Sequence, residues 1–161
     1  MASIADMATE IERKFLVRDD RWRAHARDQQ RVVQGYLANT DRGSIRIRLY
    51  GDRASLNIKS MTLGVTRSEF DYPIPVADAE LMLRTLCMKP LIEKTRFYVV
   101  HEGHTWEVDE FQGDNTGLVV AEIELRDKSE TFSSPDWLGV EVSDDPRYYN
   151  VCLVERPYCT W

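Results

Sequence analysis

The sequence predicts an antiparallel α+β fold dominated by strands. Strand-like segments with period-two alternation follow one another at short intervals. Turn signals separate them at Asn39-Thr40-Asp41-Arg42-Gly43, Gly51-Asp52 and Glu102-Gly103. Segments with helical spacing are few and fall between the strands. No internal repeat, low-complexity tract or linker divides the 161 residues. They read as a single domain over residues 9–161, with Met1 to Ala8 as a loose N-terminal extension.

Each element has a local reason. Thr9–Val17 alternates charged and apolar residues. Asp19 or Asp20 can cap a short helix over Arg21–Arg27. Arg31–Ala38 is rich in strand formers, and Ser44–Tyr50, Ala54–Ser60 and Val65–Ile74 follow as strands, the last closed by Pro73 and Pro75. Val76–Met88 places Ala79, Leu81, Met82, Leu83 and Leu86 at helical spacing, with Asp78 near its start and Pro90 beyond its end. Ile92–His101 and Thr105–Phe111 form a hairpin around Glu102-Gly103, and Leu118–Arg126 is a further strand. Ser129–Trp137 and Tyr148–Val154 read as short helical pieces.

Bulk composition narrows the function classes. The chain is 43% hydrophobic and 30% charged, enough apolar residues to bury a core. A net charge of −6 argues against broad nucleic-acid binding, which rests on basic surface. Three cysteines, with no CxxC pair, make a poor disulfide framework and point to a reducing cytoplasm. No apolar run approaches the roughly 18 residues of a membrane span. The N-terminus lacks the basic flank and apolar run of a signal peptide.

The informative feature is where the charges fall. In Glu10-Ile11-Glu12-Arg13-Lys14, Glu10, Glu12 and Lys14 share one strand face. Arg46 and Arg48 share a face opposite Ile45, Ile47 and Leu49. Asn57 with Lys59, Arg67 with Glu69 and Asp71, Lys94 with Arg96, Glu107 with Asp109, and Glu122 with Glu124 do the same. A single such strand reads as one solvated sheet face. Like charges at i and i+2 repel, however, and call for opposite charges or a ligand between strands. If the sheet closes, the charged faces can line its interior. Basic walls would then grip phosphate oxygens, and carboxylate walls would hold Mg²⁺ or Mn²⁺.

The ordered set of segments resembles the CYTH superfamily, the triphosphate tunnel metalloenzymes. Glu10-Ile-Glu-Arg-Lys14 is similar to its ExExK signature. The resemblance continues through Gln34–Leu37, Ile45–Arg48, Leu56–Lys59, Arg67–Glu69, Glu93–Arg96, Glu107–Asp109, Ala121–Glu124 and Asp145–Asn150. It implies a closed barrel of about eight antiparallel strands with helices packed outside, and the short bacterial inorganic triphosphatase branch. It implies that Lys14, Arg46, Arg48, Lys59, Arg67, Lys94, Arg96 and Tyr36 bind the triphosphate. It assigns Glu10, Glu12, Glu69, Asp109, Glu122 and Glu124 to Mg²⁺ or Mn²⁺, with Glu10, Glu122 and Lys94 nearest the chemistry. The resemblance also allows a homodimer. Relatives often carry lysines where Tyr149 and Val151 stand here. Adenylate cyclase and thiamine triphosphatase activities occur in the same family, and a polyphosphate-sensing domain with little turnover is the rival of another class.

Other signals read as structural. His101 and His104 flank a turn and are expected in solvent, and His25 lies on a surface helix. Cys87 sits on the apolar side of its helix, and Trp22, Trp106 and Trp137 read as core.

Overall fold

The structure is a computed structural model that describes residues 9–61 and 64–161. The extension expected over Met1 to Ala8 lies outside the described residues. The strands are β1 (Thr9–Val17), β2 (Ala26–Asn39), β3 (Gly43–Tyr50), β4 (Arg53–Ser60), β5 (Thr66–Ile74), β6 (Ile92–His101), β7 (His104–Phe111), β8 (Val119–Glu124) and β9 (Leu138–Glu141). Two α-helices accompany them, α1 (Val76–Thr85) and α2 (Cys152–Glu155).

Eight strands close into an antiparallel barrel in the order β1-β5-β4-β3-β2-β6-β7-β8 and back to β1. Closure is made by β1, which pairs with β5 at Glu10↔Arg67 and with β8 at Lys14↔Glu122. Where β5 leaves its edge, the short β9 takes over beside Phe15 and Val17. No strand edge of the ring is then left open along β1, which removes a site of unwanted pairing.

The barrel is apolar outside and charged inside. On β1, β6, β7 and β8 the outward residues Phe15, Val99, Trp106, Val108, Ala121 and Ile123 form one core with Trp22, Trp137 and Leu138. Trp22 comes from the 3-10 turn Asp20–His25, which Asp19 caps by accepting from the Arg21 amide. A second core, Ile47, Ala54, Ala79, Leu83 and Cys87, sits between α1 and the outer face of β2, β3 and β4. Gly35 makes that contact possible: a Cβ there would lie 2.7 Å from the Cys87 Cβ and 2.8 Å from Leu91 Cδ2. A third cluster, including Ile92, Phe111, Val120, Tyr149 and Leu153, fills one end of the barrel.

Several expectations need correction. No helix forms over Ser129–Trp137; the segment is irregular and its Phe132 and Trp137 pack on the outer core. Instead of a helix over Tyr148–Val154, a 3-10 turn ends at Tyr148 (Pro146–Tyr148) and the single-turn α2 starts at Cys152. β2 starts at Ala26, so the helical turn before it stops at His25. β9 was not anticipated, because four residues with pairing on one side leave almost no periodic signal. His101 and His104 are half-buried rather than solvated, and their Nε2 atoms lie 3.2 Å from Ser133 Oγ and Glu130 Oε1. The hairpin between them turns at Glu102 and Gly103, with φ of 44° and 85°, as a tight two-residue hairpin turn requires.

Candidate active site

The inward faces enclose a cavity of about 330 Å³, within the range of small-ligand sites. Of the residues that the sequence reading assigns to the site, Glu10, Glu12, Lys14, Tyr36, Arg46, Arg48, Lys59, Arg67, Glu69, Lys94, Arg96, Glu122 and Glu124 line this cavity. Asp109 does not. Its side chain is fully buried behind Lys94 and Arg96 and accepts from both, which places it under the cation wall and not at a metal position. Glu107, Asp71, Gln30, Gln34, Tyr50 and Tyr98 also line the cavity, though the sequence reading assigns none of them a role in the site. The signal was present for Glu107 and Asp71, which share strand faces with Asp109 and Glu69. Gln34 is in phase with Tyr36 on β2, but a glutamine in a strand carries no signal of its own.

The charges are cross-strand pairs set by register. Lys14 Nζ lies 2.7 Å from Glu122 Oε1, and Lys59 Nζ lies 2.7 Å from Glu10. Arg96 chelates Asp109 through Nε and Nη2 at 2.7 Å each, reaches Glu122 at 3.0 Å and also pairs with Glu107. Asn57 donates to Glu69 at 2.5 Å and to Asp71 at 3.1 Å, bracing those carboxylates. Burial opposes ionisation of Glu122, but Lys14 and Arg96 outweigh it and hold its carboxyl well below the usual range. Burial pulls the Lys94 ammonium down to about 8, with Arg96 adding to the pull against Asp109.

Two groups of atoms lack complements. Arg46 Nε, Arg48 Nε and Gln34 Nε2 are buried with no hydrogen-bond partner among the described residues. Such donors are costly unless an acceptor completes them. On the opposite wall, Glu12 and Glu124 face each other across β1 and β8. Burial, then the neighbouring Glu122, pushes the Glu12 carboxyl up; burial, then Glu10 and Glu12, does the same to Glu124. This wall fits a hard divalent cation by its oxygen donors and by the repulsion that a cation would relieve. Among the described residues no three such ligands are already gathered as a cage. Mg²⁺ does not require one, since it commonly takes one or two carboxylates, waters and substrate phosphates.

Seven cationic and seven carboxylate side chains line the cavity, which is therefore formally neutral. A polyanion entering alone would bury uncompensated charge. A polyanion entering with divalent cations would satisfy the open donors on one wall and the crowded carboxylates on the other.

A closed barrel with basic and acidic inner walls defines the class: a metal-assisted polyanion-binding barrel protein. Residues 8–149 match the CYTH domain, and the chain belongs to that family. It is 47% identical to the inorganic triphosphatase of Acetivibrio thermocellus over 152 residues, 94% of this chain and 97% of the relative. It is 36% identical to the inorganic triphosphatase of Nitrosomonas europaea over 150 residues, 90% and 96% of the two chains. The crystal structure of the inorganic triphosphatase NE1496 superposes with a TM-score of 0.62 at 31% identity, covering 90% of this chain and 93% of that one.

Proposed function

We propose that this chain hydrolyses inorganic tripolyphosphate to pyrophosphate and phosphate in a divalent-metal-dependent reaction. The observation that carries the reading is the presence of unsatisfied donors at Arg46, Arg48 and Gln34 opposite the crowded carboxylates Glu12 and Glu124. The relatives named inorganic triphosphatase support it, since they match over nearly their whole length.

Lys14, Arg46, Arg48, Lys59, Arg67, Lys94 and Arg96 bind the phosphoryl groups and hold the chain for in-line attack. Tyr36 borders the same bound chain. Glu10, Glu12 and Glu124, with Glu69 beside Lys59, form the metal-facing wall. When bound there, Mg²⁺ or Mn²⁺ supplies charge neutralisation and activation of water. Glu122 keeps Lys14 and Arg96 aimed into the cavity. Lys94, with its pKa near 8, is protonated at neutral pH and donates a hydrogen bond to the departing oxygen. Asp109 holds Lys94 and Arg96 in place. The three free cysteines suit a reducing cytoplasm, and no described helix is long and apolar enough to cross a membrane.

The rival enzymes gain no support from Trp22, Trp106 and Trp137, the aromatic residues that a ring-bearing substrate would call on. All three are buried in the outer core, where they cannot stack on thiamine or adenine. The test is phosphate release from tripolyphosphate, ATP and thiamine triphosphate, each with Mg²⁺, with Mn²⁺ and with chelator. Metal-dependent release fastest from tripolyphosphate is expected. Tight tripolyphosphate binding with no release under any metal would replace the reading with a sensing domain.

A further inference from the structure

The ion pairs inside the barrel fall into two groups. Where cations and carboxylates stand on neighbouring strands, they close tightly. Lys14 lies 2.7 Å from Glu122 across β1 and β8, and Lys94 and Arg96 lie 2.5 and 2.7 Å from Asp109 across β6 and β7. On the other side of the barrel the pairs are long. Arg48 Nη2 is 3.5 Å from Asp71 Oδ2, and Arg46 Nη2 is 3.9 Å from Glu69 Oε1. Both exceed the roughly 2.7–3.2 Å of an ordinary N–H···O hydrogen bond.

Register supplies the reason. Arg46 and Arg48 stand on β3, Glu69 and Asp71 stand on β5, and β4 runs between them. Neighbouring strands lie ~4.8 Å apart, so the two charged rows start ~10 Å apart. The β4 residues between them are neutral: Ser55 is opposite Arg48, and Asn57 is opposite both Arg46 and Asp71. Ser55 and Asn57 are 1% and 0% exposed. Asn57 then takes the carboxylates for itself. Its Nδ2 donates to Glu69 Oε1 at 2.5 Å and to Asp71 Oδ1 at 3.1 Å. The Glu69 oxygen nearest Arg46 is thus already bound by Asn57. Arg46 Nε and Arg48 Nε are left without a partner among the described residues. Burial, then the neighbouring Arg46, pulls the Arg48 guanidinium down, and Asp71 does not make up the loss.

We infer that Asn57 is a positioning residue for the substrate-binding arginines: it holds Glu69 and Asp71 on its amide and so leaves Arg46 and Arg48 open to the incoming phosphoryl groups. The inference rests on the polyphosphate-hydrolysis reading and adds to it a residue that acts from beneath the cavity wall. An arginine in a tight pair must give up its carboxylate before it binds a phosphate, and the exchange cancels much of the gain. Released from Asn57, Asp71 would close on Arg48 and Glu69 on Arg46, as Asp109 closes on Arg96. Affinity for the polyanion would then fall. Glu12, Lys94 and Glu124 stand on β1, β6 and β8 and keep their places, so turnover of the bound chain would change little.

The test is a double-mutant cycle on Asn57 and Asp71. It reads KM and kcat for tripolyphosphate in Mg²⁺, and tripolyphosphate affinity by calorimetry in chelator. Asn57→Leu fills similar space with no donor. It is expected to raise KM about tenfold, the order of one hydrogen bond to a charged group, and to move kcat less than about twofold. Adding Asp71→Asn should return KM to within about threefold of the wild type, because the competitor for Arg48 is then neutral. Asn57→Thr, which keeps one donor, should fall between, and affinity in chelator should follow the same order. A folded Asn57→Leu protein with unchanged KM would overturn the inference. So would a loss that persists in full after Asp71→Asn, since removing a charge does not repair damaged packing. If Asn57→Leu does not fold, Asn57→Thr carries the same cycle. No hydrolysis of tripolyphosphate by the wild type would fell the function itself, and the titrations in chelator would still decide the role of Asn57.

Discussion

Lys94 and Asp109 are joined by an ion pair of 2.5 Å between side chains that are 2% and 0% exposed. Asp109 also takes two hydrogen bonds from Arg96, so one carboxylate anchors two cations of the cavity wall. Removing it leaves both cations competing for Glu107 and Glu122. Asp109→Ala is expected to cost about 3–5 kcal/mol, the usual loss when one partner of a buried pair is deleted. Denaturant unfolding of the two proteins measures it, and a loss below about 1 kcal/mol, the level of a surface pair, would contradict the anchoring role.

Glu107 should make stability depend on pH. Burial pushes its carboxyl from the usual 4.5 up to about 7 against Arg96, with Glu122 and Asp109 adding to the push. The folded state thus holds this proton more tightly than the unfolded chain does. Its contribution is fully present below pH 4.5 and is lost as pH rises through 7. Its side chain is 35% exposed, so solvent screening limits the effect to ~1 kcal/mol. Glu107→Gln, which stays neutral, is expected to melt with the wild type below pH 4.5 and above it in temperature once the pH exceeds 7. Parallel melting curves across that range would count against the shifted carboxyl.

The acidic wall should matter to turnover and oppose metal-free binding. Glu12 and Glu124 lie opposite one another with no ion pair to either among the described residues. A Glu12→Gln, Glu124→Gln protein would have a net positive cavity. It is expected to lose about a hundredfold or more in metal-dependent hydrolysis, as when a charge-stabilising group is removed. The same protein should bind tripolyphosphate more tightly than the wild type in chelator. Calorimetric titration without metal reads the second effect, and weaker binding there would contradict the charge balance argued for the cavity.

A change outside the barrel should separate stability from activity. At Gly35 a side chain would meet Cys87 and Leu91 under α1. Gly35→Ala is expected to cost about 1–3 kcal/mol, as overpacking does. Gly35 points away from the cavity, so the Michaelis constant for tripolyphosphate should be unchanged well below the melting temperature. A raised Michaelis constant with unchanged melting would show that this contact shapes the cavity instead.

The strand faces were legible in the sequence because side-chain direction alternates every residue, whatever the strand pairs with. That local rule placed Glu10, Glu12 and Lys14 together, and likewise Arg46 with Arg48 and Glu122 with Glu124. Turn chemistry placed the breaks at Gly51 and Gly103. With the order of segments, these features carried the CYTH resemblance, and it was the resemblance that implied a closed barrel.

Tertiary structure alone decided the rest. Period two says which residues share a face, but only closure at Glu10↔Arg67 makes the charged face the inside. Register put Arg96 between Asp109, Glu107 and Glu122, so Asp109 became a buried brace while Glu107 joined the cavity. The resemblance drew attention to Tyr149 and Val151, but their place in the cavity lining came only from the structure. Those residues lie in a short irregular segment after β9, and no local pattern tells which distant surface such a segment will cover.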